Sequence, residues 1–125
     1  MTEYLNELGY NVIDYGTDSE EPADFPDYAK KLGAGILSNE ANLGIAICGT
    51  GNGIAITLNK HQGIRAALCW EKELASFARS HNDANILVMP GRFISQEEAT
   101  RVVEAFLSTP FEGGRHQRRI DKIPL

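Results

Sequence analysis

The sequence has little of several features that mark particular classes of protein. Only two cysteines occur among its 125 residues, which excludes a disulfide-rich secreted scaffold and predicts a reducing, cytoplasmic location. No apolar run approaches the roughly 20 residues of a membrane span. The first ten residues lack the basic start and apolar core of a signal peptide. The sequence therefore predicts a cytoplasmic protein without a membrane partner.

Positive charge is also scarce. Twelve lysine and arginine residues stand against 17 aspartate and glutamate residues, which gives a formal net charge of −5. This balance argues against a nucleic-acid partner or an anionic membrane surface. The length is that of one domain, residues 1–125, and a hydrophobic content of 42% is enough for a core.

Short apolar runs alternate with amphipathic stretches along the chain. Strands are predicted over residues 11–15, 43–48, 64–69 and 85–89. Helices are predicted over residues 2–8, 24–38, 52–60, 71–80 and 95–107. The helix over 71–80 is expected to bury Leu74, Phe77 and Ala78, and Ser95 with Glu98 forms a capping box. Strands that alternate with helices predict a parallel sheet with right-handed crossovers.

A glycine-rich loop, residues 49–53, joins the strand ending at Cys48 to a helix. Glycines let main-chain N–H groups converge, and the following helix start adds partial positive charge. The loop is thus a candidate anion site with a thiol beside it, although a plain tight turn explains the glycines equally well. It fits a dinucleotide fingerprint poorly because Ile54 takes the third glycine position, yet Glu71 leaves nicotinamide binding open. Walker A is excluded, since no Gly-Lys-Ser/Thr ends the loop.

Further polar groups lie in turns beside the predicted strands. His81 and Asn82 stand in one turn and Arg92 in another, and we expect these groups on the same rim of the sheet as Cys48. The segment 113–119 is locally basic, which indicates either a solvated tail or phosphate capture by arginine. A thiol, an amide cradle, an imidazole and arginines together suit chemistry on a small phosphorylated molecule.

An ordered set of short motifs resembles the type B ribose-5-phosphate isomerases over nearly the whole chain. The family also contains galactose-6-phosphate isomerase subunits and allose-6-phosphate isomerases. The motifs are Cys-Gly-Thr-Gly-Asn-Gly at 48–53, Asn-Lys at 59–60, Gly-Ile-Arg-Ala-Ala-Leu at 63–68, His-Asn-Asp-Ala-Asn at 81–85, Gly-Arg at 91–92 and Phe-Glu-Gly-Gly-Arg-His-Gln-Arg-Arg at 111–119.

The resemblance implies a three-layer α/β/α Rossmann-like domain whose first strand is missing from this chain. It also implies a homodimer or a dimer of dimers, with the tail 109–125 contacting a partner subunit and sites at the interface. The implied reaction interconverts ribose 5-phosphate and ribulose 5-phosphate through an enediolate, without a metal or organic cofactor. Six-carbon sugar phosphates, allose or galactose 6-phosphate, remain open as substrates.

The resemblance also implies a role for each matching residue. Cys48 matches the base that removes the carbon-bound proton, Thr50 the residue that moves a proton between the two oxygens, and His81 the acid and base that opens the sugar ring. The family's alternative, a glutamate just after the loop, is absent because Ile54 stands there. The implied substrate-binding residues are Gly49, Gly51, Asn52, Gly53, Asn82, Arg92, Arg115 and Arg119.

Two departures from the family pattern affect these expectations. Members usually open with a strand and an Asp-His-Ala-Gly-like turn that contacts the substrate, whereas this sequence starts inside the helix that follows. If the polypeptide begins at Met1, we expect impaired activity and a rearranged sheet, and a sugar-phosphate-binding subunit without catalysis is the alternative. Phe25 replaces the tyrosine of a common Asp-Tyr-Pro motif, so the ring is kept and the hydroxyl is lost.

Overall fold

Helices and strands alternate through most of the computed structural model, which describes residues 1–16 and 24–125. The helices are α1 (Thr2–Glu7), α2 (Phe25–Leu37), α3 (Asn52–Asn59), α4 (Lys72–Ser80), α5 (Gln96–Ser108) and α6 (Arg115–Asp121). The strands are β1 (Gly44–Cys48), β2 (Ala66–Leu68) and β3 (Ile86–Pro90). Three of the four predicted strands and all five predicted helices are confirmed. The residues 16–26, rich in Gly, Asp, Ser, Glu and Pro, predict a loop, and most of this segment lies outside the described residues.

The strands form one parallel sheet in the order β1-β3-β2. In the register of β1 on β3, Gly44 faces Ile86 and Cys48 faces Pro90. Ala66 of β2 faces Ile86 from the other side. The residues of β3 from Ile86 to Met89 are fully buried, as expected for a central parallel strand covered on both faces.

The two faces of the sheet are covered by different helices. Leu87 and Met89 of β3 belong to one apolar cluster, with Phe106 of α5 at its centre, whereas Ile86 and Val88 belong to the other. This alternation follows from the two-residue period of a strand. Helices α4 and α5 with α1 form one layer, and α2 and α3 form the other. The three-layer α/β/α prediction is confirmed.

The strand predicted over residues 11–15 is wrong, because residues 10–15 adopt no regular structure. A cleft of about 680 Å³ is lined by residues 10–16 and by residues 43–47 of the β1 side, among others. Across this cleft, residues 11–15 have no adjacent strand to pair with, and a strand without a ladder partner leaves its N–H and C=O groups to water.

Two side-chain expectations and the number of helices also need correction. Phe77 is 55% exposed and contacts the His81 ring instead of the core. The capping box is half formed: Ser95 Oγ accepts the Glu98 N–H at 3.1 Å, while the Glu98 carboxylate pairs with Arg101. The helix ending at Ser108 is not the last one, since the polar tail folds into α6, with His116 and Ile120 buried.

Within residues 1–16 and 24–125, every helix is too short or too polar to cross a lipid bilayer.

Phe106 provides a test of the packing. It is fully buried between α5 and the sheet, so Phe106→Ala removes a large apolar side chain and leaves a cavity. We expect the free energy of unfolding in urea to fall by about 3–5 kcal/mol. Phe93→Ala is the matched control: Phe93 is 73% exposed, and its loss is expected to change the free energy by less than about 0.5 kcal/mol. Equal effects would contradict the core assignment.

Candidate active site

The Cys48 loop lies at the carboxyl edge of the sheet, where β1 ends. Cys48 is partly exposed and packs against the apolar cluster that contains Ile86 and Val88. Gly51 has a φ of +81°. A Cβ at Gly51 would lie 2.5 Å from Leu68 Cδ1 and 3.1 Å from Val88 Cγ1. Both the backbone conformation and the lack of space therefore require glycine here.

Two neighbouring side chains pack directly on the loop. A Cβ at Gly53 would lie 2.6 Å from Phe25 Cζ, and one at Gly49 would lie 3.2 Å from Arg92 Nε. The main chain is joined as well, because the Arg92 N–H donates to the Gly49 carbonyl at 3.0 Å. Arg92 is therefore held beside Cys48, as the sequence predicted.

The first N–H groups of α3 face this loop. The helix begins its internal bonding with the Ala55 N–H, which donates to the Gly51 carbonyl at 3.1 Å. Thr50 Oγ1 accepts the Asn52 N–H at 3.3 Å. Gly51 supplies no side-chain cap, and among the described residues no side chain accepts from the N–H groups of Gly53 and Ile54. Such helix starts attract anions.

His81 and Asn82 lie at the opposite edge of the sheet, so the expectation of a single rim is wrong for them. Arg65, just before β2, donates from Nε to the Asn82 carbonyl at 3.1 Å. The Gly44 N–H at the start of β1 donates to the Asn85 carbonyl. A helix that follows a parallel strand runs back to the amino edge, and the two edges are separated by the length of β1, about 13 Å for its five residues.

The His81 ring contacts several other side chains at this amino edge. It stacks on the His116 ring, with centroids 4.1 Å apart and planes at 12°. The Phe77 ring also contacts the His81 ring, with the two ring centroids 4.9 Å apart. Glu112 lies at the edge of both imidazoles: its two carboxylate oxygens are each 3.9 Å from one Nε2 atom. Sequence reasoning missed Glu112, although its four-residue spacing from His116 was a usable signal.

His116 is 6% exposed. Burial lowers the pKa of His116, and the charges of His81, Arg115 and Arg119 lower it further, against a smaller opposing effect of Glu112. These effects together favour the neutral form of the ring. Arg115 and Arg119 lie on α6 with His116, and His116 stacks on His81, so both arginines belong to the His81 edge and not to the Cys48 loop.

The donor atoms of His81, Glu112 and His116 lie within 4.8 Å of one another, a spacing that invites comparison with a metal site. The stacking argues against that interpretation. Imidazole lone pairs lie in the ring plane, so two stacked rings whose planes differ by 12° keep them in two nearly parallel planes that do not meet near the rings. They cannot converge on one ion unless a ring rotates.

Cys69, the second cysteine, is a core residue. It is 2% exposed, and this burial raises the pKa of its thiol to about 11. Its Sγ donates weakly to the Ala67 carbonyl at 3.7 Å. The two thiols are therefore chemically distinct.

A family model described as Ribose/Galactose Isomerase matches residues 1–123. The chain belongs to this family. The resemblance in the sequence motifs is thereby confirmed. Membership also disfavours the nicotinamide-binding alternative, in agreement with Ile54, which is buried in the core where a dinucleotide fingerprint has glycine.

Relatives of known name are similar over almost the whole chain. Ribose-5-phosphate isomerase B of Escherichia coli is 45% identical, over 98% of this chain and 83% of the relative. A crystal structure of a ribose 5-phosphate isomerase from Thermotoga maritima is 59% identical, with a TM-score of 0.95 over 98% of this chain and 84% of that one. The Mycoplasma genitalium enzyme with bound ribulose-5-phosphate is 42% identical, with a TM-score of 0.92 over 97% and 81%.

The different burial of the two cysteines predicts their reactivity. With an aromatic disulfide reagent at pH 8, we expect only the Cys48 thiol of the folded protein to react rapidly. The Cys69 thiol is buried and has a raised pKa, so it stays protonated and covered. The second thiol should react only on unfolding. Cys48→Ala should abolish the rapid phase and Cys69→Ala should leave it intact. The reverse pattern would contradict this assignment.

Proposed function

We propose that this chain is an aldose–ketose isomerase that interconverts ribose 5-phosphate and ribulose 5-phosphate. The observation that carries the proposal is the position of a partly exposed Cys48 beside glycine-loop N–H groups in a member of the Ribose/Galactose Isomerase family. The name of the E. coli relative and the ribulose-5-phosphate bound to the M. genitalium enzyme support the substrate.

The proposed chemistry moves a proton and a carbonyl without gaining or losing an atom. Cys48, as thiolate, takes the proton from C2 of the open aldose and returns it to C1. The N–H groups of the loop 49–53 stabilise the enediolate oxygens, where negative charge develops. Thr50 moves the hydroxyl proton between the oxygens on C1 and C2. Asn52, exposed on the first turn of α3, contacts the same oxygens.

The histidine, asparagine and arginine side chains open the sugar ring and bind the phosphate. His81 protonates the ring oxygen O4 as the bond from O4 to C1 breaks, and the C1 hydroxyl gives its proton to water to form the aldehyde. Asn82 contacts the sugar. Arg115 and Arg119 are four residues apart and exposed on α6, so they lie on one helix face and can hold a phosphate together. Arg92 contributes a further cation beside the loop.

We further propose that each active site is shared by two copies of the chain. Cys48 and His81 lie at opposite edges of the same sheet, too far apart to act on one five-carbon sugar. A two-fold dimer that brings the His81 edge of one copy to the Cys48 loop of the other would unite them twice. The exposed arginines of α6, on the tail 109–125, would then face the partner, and such dimers could pair further.

A cytoplasmic location is part of the same proposal. Neither of the two cysteines, Cys48 and Cys69, is in a disulfide. A reducing compartment preserves the thiol on which the proposed proton transfer depends.

Conversion of ribose 5-phosphate to the ketose tests the function directly. The unaltered chain should produce ribulose 5-phosphate, and Cys48→Ala should lower turnover by roughly 100- to 10,000-fold, because it removes the base. Cys69→Ala is the control with the other thiol removed, and its turnover should stay near that of the unaltered chain. A Cys48→Ala variant with undiminished turnover would refute the base assignment. An unaltered chain that binds the sugar phosphate without converting it would favour the binding-subunit alternative.

Mixing two inactive variants tests the shared site. When Cys48→Ala and His81→Ala chains are unfolded and refolded together in equal amounts, half of the dimers combine both variants, and each such dimer has one intact site. Activity should therefore return to about a quarter of that of the unaltered protein. Each variant refolded alone is the control and should stay inactive. A mixture without activity would indicate that both residues act within one chain.

A further inference from the structure

The surroundings of His81 suggest how its ring is held, a question that the proposed function leaves open. The imidazole lies between two rings: His116 stacks on it at 4.1 Å, and Phe77 meets it at 4.9 Å with planes tilted by 45°. The His81 side chain nevertheless keeps 36% of its surface exposed. It is therefore confined in orientation and still open to a ligand.

His116 is the fixed member of this arrangement. His116 is 6% exposed. Its main-chain N–H donates to the Gly113 carbonyl at 3.1 Å, at the start of α6. Within the described part of the chain, its buried Nε2 atom has no hydrogen-bond partner. Burial favours the neutral form of this ring, and a neutral ring can stack on a protonated His81 without repelling it. A buried nitrogen without a hydrogen-bond partner has a free-energy cost.

Glu112 joins the two imidazoles. Its oxygens are 3.9 Å from His81 Nε2 and 3.9 Å from His116 Nε2, longer than a hydrogen bond but close enough to become one with a small movement of the side chain. Its main chain is already anchored, since the Glu112 N–H donates to the Ser80 carbonyl at 3.0 Å. That carbonyl belongs to the residue just before His81.

We propose that Glu112 and His116 are positioning residues that hold the His81 imidazole in the orientation for opening and closing the sugar ring. His116 sets the plane of the ring by stacking, and Glu112 sets its rotation by attracting the protonated Nε2 edge. This inference rests on the proposed function, because it assigns His81 to the ring step and not to the proton transfer between C1 and C2.

The two steps can be measured separately. Ribulose 5-phosphate cannot close a five-membered ring, because the oxygen that would attack C2 carries the phosphate. Exchange of its C1 hydrogen with deuterium from D₂O therefore reports proton transfer alone, whereas turnover of ribose 5-phosphate also requires ring opening. Both are followed by NMR for the unaltered chain and each variant.

Glu112→Gln and His116→Ala should lower turnover of ribose 5-phosphate by roughly 10- to 100-fold, as a misplaced acid does, and keep deuterium exchange within about twofold. His116→Phe keeps an aromatic ring for stacking and should recover most of the turnover lost in His116→Ala. Gln117→Ala, exposed on the same helix, is the matched control and should alter neither rate.

Three results would overturn the proposal: turnover within twofold of the unaltered chain in both variants, turnover and exchange reduced equally, or no recovery in His116→Phe. Failure of the proposed function gives a different result, because the unaltered chain itself would then leave ribose 5-phosphate unconverted.

Discussion

The parallel pairing of β3 with β1 and β2 is the constraint on which the rest of the structure depends. It buries β3 on both faces and gives the sheet a carboxyl edge and an amino edge. Loops that follow strands meet at the first edge, and loops that follow helices meet at the second. The Cys48 loop and Arg92 are thereby separated from His81, Asn82 and the arginines of α6. A site that uses both sets needs two chains, so oligomerisation becomes part of the proposed chemistry.

At the carboxyl edge, backbone and not side chains makes the candidate anion site. Gly51 turns the chain with a positive φ, and its missing Cβ leaves room for Leu68 and Val88. The Phe25 ring packs against Gly53 at the same helix start. The Phe25 ring fills the space above Gly53 without a hydroxyl group. Rigid N–H groups held this way stabilise developing charge without having to reorganise.

At the amino edge, aromatic packing has the corresponding role. Phe77, His81 and His116 form a run of three rings, and Glu112 stands beside the two imidazoles. This arrangement explains why the apolar Phe77 ring is half exposed and the polar His116 ring is buried, the reverse of what their residue types suggest. Each is placed by its contact with the neighbouring ring more than by its own polarity.

The sequence by itself determined the order and type of the elements around the sheet. Apolar runs such as the one ending at Cys48, and the helix start at Ser95, depend on neighbours a few residues away, and local patterns record such neighbours well. The resemblance in short motifs identified the family, and the matching residues do lie at the ends of elements.

Only the tertiary structure decided which of those residues meet. Residues 11–15 have the composition of a strand, but a strand exists only beside a partner, and here a cleft separates them from β1. Likewise, the sequence placed His81 on the same rim as Cys48, since both stand next to strands. The direction in which α4 returns put His81 at the far edge, beside Glu112 and His116. Proximity between distant residues follows from chain direction and packing, which no local pattern contains.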